Sequence, residues 1–229
     1  MSRCYALLAR RMGRCYVLFA LVRRCAGGRE TWPPIKTQLV DGVLQGQDPM
    51  AHADPRAVDN GYPHTNLRPE LARAVLTAAR DGLGGVGLYV EVGSMLGGSV
   101  RVAGQAALDL GLGSHMTLVS IDPFTGDANM WADRNTADTA ANFSFLQLRH
   151  DQPTIYERYL ANTVGAGLAD MVVPLRATST VGLRLLARLR AAKRVAELPT
   201  VLSVGPGRQR AKSTFLGTLI VPTRRVKHS

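Results

Sequence analysis

Residues 87–99 read GLYVEVGSMLGGS, an apolar, β-branched run that stops at a cluster of glycines and serines. Leu88, Tyr89, Val90, Glu91 and Val92 form a short continuous strand, apolar but for one acid. That is the signature of a strand covered on both faces of a parallel sheet, not of a half-exposed strand. VRVAGQAALDLGL (100–112) follows, with Val100, Ala103, Ala106, Ala107 and Leu110 at helical spacing despite Gly104. Strand, glycine turn and helix together open a βαβ unit. In such a unit the helix-start amides face the crevice at the strand ends, where nucleotides bind. Glycine has no Cβ, so the backbone there can approach a ligand closely.

Spacing narrows the ligand. Gly93 to Gly98 has the span of a phosphate-cradling GxxxxGK[ST] loop, but Ser99 stands where the lysine is required, which argues against a nucleotide triphosphatase. The dinucleotide pattern GxGxxG is unmet, because Met95 stands two residues after Gly93. The next strand, HMTLVSID (115–122), ends on Asp122, where an acid can accept hydrogen bonds from ribose hydroxyls. The bland alternative is that Asp122 caps a turn before Pro123.

With Asp122 in place, the sequence resembles the class I S-adenosylmethionine-dependent methyltransferases, particularly the small-molecule O-methyltransferase branch with first motif E-x-G-x-x-x-G-x-S. Glu91, Gly93, Gly97 and Ser99 carry that resemblance, followed by Asp122 in LVSIDPFTGDANMW. It implies S-adenosyl-L-methionine as cofactor, with Gly93 and Gly97 lining its methionine part and Asp122 holding its ribose. Ser94, Gly98 and Ser99 complete the implied cradle, and Thr178 and Ser179 occupy the region that approaches adenine. The expected fold is α/β, a doubly wound, mostly parallel sheet with helices on both faces, Rossmann-like and incomplete.

Later residues extend the alternation. Ile155, Tyr159, Leu160 and Val164 recur at helical spacing in 153–168, strand-like MVVPLRATS follows, and VGLRLLARLRAAKR reads as an amphipathic helix. Ahead of the first strand, LRPELARAVLTAARDGLGG predicts a helix over 68–81, with Pro69 in its first turn and Gly82 at its end. GQDPMAHADPRAVDNGYPHTN reads as loop. Beyond Leu198 the resemblance fails. After PTVLSV, where the family places an Asp, this chain has Ser203 and Val204, and TFLGTLIV offers at most one more strand. The carboxyl end therefore reads as truncated or replaced.

Charge divides unevenly. Of the net +11, residues 1–30 contribute +6 from seven arginines and one acid, and residues 187–229 contribute +9, leaving 31–186 at −4. A mildly acidic core with basic tails argues against sequence-specific nucleic-acid binding, which concentrates cations and stacking aromatics on a folded surface. Cys4, Cys15 and Cys25 all lie in the first tail, so they imply neither a disulfide framework nor a metal cluster. The apolar run at 15–22 is too short to span a bilayer and is flanked by arginines. Residues 1–31 are read as a targeting or membrane-associating segment outside the fold, fitting import into an organelle (mitochondrion or plastid) better than secretion. The expected organisation is this segment, a loop-and-helix region at 32–86, a cofactor-binding domain at 87–206 and a basic tail at 207–229.

Other chemistry finds little support. The five histidines show no metal-ligand spacing, and no GxSxG elbow is present. His150-Asp151 reads as a solvated loop before it reads as a base-acid pair. Trp131 can wall a substrate pocket or pack in the core. Glu91 demands an explanation, since a carboxylate in a buried strand needs a polar partner. Two functions follow: methyl transfer to a small-molecule acceptor, at oxygen, or a non-catalytic binding module that keeps part of the cofactor site.

Overall fold

The computed structural model describes residues 6–9, 17–21, 35–59, 67–83, 87–132, 145–192, 194 and 200–204. The chain order is β1 (Ala6–Ala9), β2 (Val17–Leu21), α1 (Ile35–Val43), α2 (Pro69–Leu83), β3 (Leu88–Val92), α3 (Gly98–Asp109), β4 (Thr117–Asp122) and α4 (Ala128–Ala132). A small hairpin of β5 (Leu148–Arg149) and β6 (Gln152–Pro153) follows, then α5 (Ile155–Gly165), β7 (Val172–Arg176), α6 (Ser179–Ala191) and β8 (Thr200–Val204).

The main sheet has the order β1-β2-β8-β3-β4-β7. β8, β3, β4 and β7 run parallel, while β1, β2 and β8 pair antiparallel. Counted by first appearance, the parallel strands read 3-2-1-4 across the sheet, the order of half a doubly wound fold. The strand order reverses between β3 and β8, so that gap is the switch point.

The alternation of side chains along the strands explains why both faces are covered. Tyr89, Leu118, Val172 and Val201 point to one face, where α2, α3 and α5 supply Leu76, Ala103, Ile155 and Leu160. Leu88, Val90, Val119, Ile121 and Val173 point to the other, against Ile35 and Leu39 of α1 and Leu186 and Leu189 of α6. Burial on two sides is why Leu88–Val90 of β3 and Leu118–Val119 of β4 read as continuous apolar segments, with Glu91 and Ser120 as the buried polar exceptions. At the second face Gly182 of α6 rests directly on β4. A Cβ there would lie 2.5 Å from Ile121 Cγ2. Gly182→Ala is therefore expected to destabilise the fold by about 1–3 kcal/mol through overpacking, read by urea denaturation.

Several boundaries differ from the sequence reading. α2 runs through Gly82 to Leu83, and α3 begins at Gly98. The loop-rich stretch after α1 holds two 3-10 turns, Pro49–His52 and Pro55–Ala57. Each starts with an aspartate whose side chain accepts an amide hydrogen, from Met50 for Asp48 and from Arg56 for Asp54, followed by proline. From the segment expected outside the fold, residues 6–9 and 17–21 form β1 and β2, and β2 lies along β8 over five residue pairs. No helix among the described residues is long and apolar enough to cross a membrane. TFLGTLIV lies outside the described residues.

Candidate functional site

The glycine turn sits at the carboxyl end of β3, beside the switch point. Gly93, Met95 and Gly97 have φ of 84°, 46° and 84°. A left-handed conformation is cheap for glycine and costs an ordinary residue about 1 kcal/mol, so two of the three positions are set by backbone demand. Gly93 donates its amide to Ile121 O at 3.0 Å, and Gly97 to Ser94 O at 2.8 Å. In front of Gly93 a Cβ would meet nothing within 4 Å, leaving that face of the turn open. Gly97 is different: a Cβ there would lie 3.2 Å from the Tyr159 ring. Gly98 and Ser99 begin α3, whose first-turn amides have no acceptor within the helix.

Asp122 joins this turn to the next strand. Its Oδ2 accepts the Met95 amide at 2.9 Å, and its Oδ1 accepts the Phe124 amide at 2.6 Å. Met95 and Phe124 both have positive φ, so the carboxylate holds two strained residues in place. Burial pushes the Asp122 pKa up, while the amides of Met95, Phe124 and Ser94 pull it down. The capping role read as an alternative is thus present. Each carboxylate oxygen has a second lone pair, so the cap leaves acceptor capacity for a ligand hydroxyl.

Beneath the turn lies a row of polar side chains on the α2/α3/α5 face. Glu91 pairs in register with Ser120 of β4 and Ser203 of β8, and all three are buried. Burial pushes the Glu91 carboxyl up to about 8, with the Ser94 and Ser99 hydroxyls opposing and the Asp122 charge adding to the rise. Although those hydroxyls lie close enough to act on its charge, Glu91 Oε2 and Ser94 Oγ close no well-formed hydrogen bond. Two buried polar atoms, one in the turn and one directly beneath it, are thus unsatisfied, at a cost that a bound partner would relieve. Tyr89 and Tyr159 flank the row, and burial raises both phenol pKa values.

Helix α5 clamps the turn from outside. Tyr159 stacks on Gly97 and donates its hydroxyl to Ser120 Oγ at 2.6 Å, while Asn162 donates to Leu96 O at 3.0 Å. The sequence reading took Tyr159 as an apolar packing position and passed over Asn162. The available signal was their spacing, since positions three apart share a helix face.

The structure therefore gathers Glu91, Gly93, Ser94, Gly97, Gly98, Ser99 and Asp122 at one end of the sheet. Thr178 is the N-cap of α6, accepting the Val181 amide at 3.4 Å. Its turn is tied to Asp122 by the Ala177 amide, which donates to Asp122 O at 3.1 Å, and Ser179 is exposed on that turn. Trp131 is not a core residue. It is 39% exposed on α4, with its indole N–H donating to Thr125 O at 2.8 Å. His150 and Asp151 are exposed, with φ of 48° and 61°, and form the two-residue turn of the β5–β6 hairpin. Val164, counted on the apolar stripe of α5, is 36% exposed. Among the described residues no group of three or more His, Cys, Asp or Glu is placed to hold a metal ion.

No protein-family model matches the chain, and no curated protein matches it. Among solved structures it is similar to cofactor-bound Rv0187 from MTB, at 18% identity and a TM-score of 0.36, over 77% of this chain and 73% of that one. At this level the likeness adds nothing to the strand order and site geometry above.

Proposed function

We propose that the domain built on β3, β4, β7 and β8 binds S-adenosyl-L-methionine and transfers its methyl group to a small-molecule acceptor, at oxygen. One observation carries this reading: a glycine turn with an open face at the switch point, tied through Met95 to an acid at the end of the adjacent strand. The unsatisfied Glu91 Oε2 and Ser94 Oγ fit a polar ligand at the turn. Gly93, Gly97 and the start of α3 would hold the methionine part, Asp122 the ribose, and the Thr178–Ser179 turn the adenine. When bound, the cofactor supplies an electrophilic methyl group on a sulfonium. The chain's own contribution is binding and alignment, a catalytic effect that rests on proximity.

Isothermal titration of S-adenosyl-L-methionine into the full chain tests the proposal. Micromolar binding with one site is the expected result, and absence of binding to folded protein rejects it. A second reading, a cofactor-binding module without catalysis, is favoured by the end of β8. Ser203 is buried and Val204 half-exposed there, so this strand end offers no carboxylate to an acceptor hydroxyl. Transfer of labelled methyl to phenol or sugar acceptors by the pure protein separates the two readings.

A further inference from the structure

A second concavity is built from residues that the cofactor reading does not use. The 3-10 turn Pro55–Ala57, the β5–β6 hairpin and the first turn of α5 line a cleft of about 450 Å³, a volume typical of small-molecule sites. Three arginines line it, and each is held by an acid: Arg56 by Asp54 at 3.0 Å, Arg149 by Glu157, and Arg158 by Asp59 at 2.8 Å. The first two pairs lie in solvent, with the Arg56 and Arg149 side chains 89% and 61% exposed. Arg56 grips Asp54 through both Nε and Nη2, yet water and salt screen both pairs, so an incoming anion competes with the carboxylates for these guanidiniums.

The wall itself is unsatisfied. Arg158 is 4% exposed; its Nη1 donates to Asp59 and its Nη2 to Phe145 O, while Nε has no acceptor. Thr154, the N-cap of α5, makes no capping bond with its side chain, and its buried hydroxyl has no partner. Both atoms can donate. The start of α5 adds the positive end of a helix dipole. Donors, arginines and a helix start together complement an acceptor-rich anionic group.

We propose that this cleft binds a small molecule through an oxyanion group, carboxylate or phosphate. Arg56 and Arg149 release Asp54 and Glu157 to hold the anion, and Thr154 and Arg158 form the donor-bearing wall behind it. The site is independent of the cofactor reading, because it shares none of its residues.

The test is calorimetric titration of the full chain with sodium phosphate and with sodium succinate, at constant ionic strength and against a chloride control. The wild type is expected to bind at least one of the two saturably, and the preferred probe identifies the group. The double variant Arg56→Gln, Arg149→Gln changes only exposed side chains, so its melting temperature should match the wild type. Its affinity is expected to fall at least about tenfold. Absence of saturable binding by both probes overturns the proposal. So does equal affinity in the double variant, which places the anion elsewhere.

Discussion

Glu91→Gln is expected to leave the protein more stable than wild type at pH 8 and above. The Glu91 carboxyl sits at about 8 in the folded chain because it is buried, against an ordinary value of 4.5. Below the ordinary value both folded and unfolded chains hold the proton, and stability is unaffected. As pH rises from 4.5 toward 8 the unfolded chain releases the proton and the folded chain keeps it, so folding becomes steadily less favourable. Above about 8 the folded carboxyl also ionises and the loss is complete. A span of this size corresponds to roughly 3–5 kcal/mol. Glutamine keeps the shape and does not titrate. Urea denaturation at about pH 5 and about pH 8.5 should show a steep loss for wild type and a much shallower one for the variant, in which Asp122 is the raised carboxyl that remains. Parallel profiles would mean that Glu91 is ionised and paired in the folded protein.

Asp122→Ala is expected to lower stability by about 2–4 kcal/mol and, on the function proposed above, to abolish S-adenosyl-L-methionine binding together with it, because it removes the charged acceptor from two amides. Asp122→Asn keeps one acceptor oxygen and should fall between. A carboxylate that served only a ribose would leave the melting temperature unchanged on mutation, so denaturation and titration of the same variants separate scaffold from ligand contact.

The parallel core was legible because burial on two faces leaves a direct mark on β3 and β4: nothing polar interrupts Leu88–Val90 or Leu118–Val119. The glycine turn was legible because positive φ restricts residue choice at Gly93 and Gly97. Asp122 was read as a ribose ligand or a turn cap, but the Met95 amide it caps was not foreseen, since Met95 is 27 positions away and no local pattern records that contact. Tyr159 and Asn162 were hidden for the same reason. A tyrosine on an apolar helix face looks like filler until its hydroxyl is seen on Ser120. The β2–β8 pairing was invisible because an apolar run between arginines carries no label naming its partner strand.

That pairing also sets a timetable. Val17 lies opposite Val204, near the other end of the described chain. During synthesis β3, β4 and β7 can come together as soon as residue 176 is free, but β8 has neither been made nor bound its neighbours. Until residue 204 emerges, the first hairpin has no strand to lie on, and one flank of β3 stays bare. Closing so long a loop is the slow, non-local step of such a topology. A nascent chain arrested before β8 would therefore present an open, apolar strand edge to whatever it meets first.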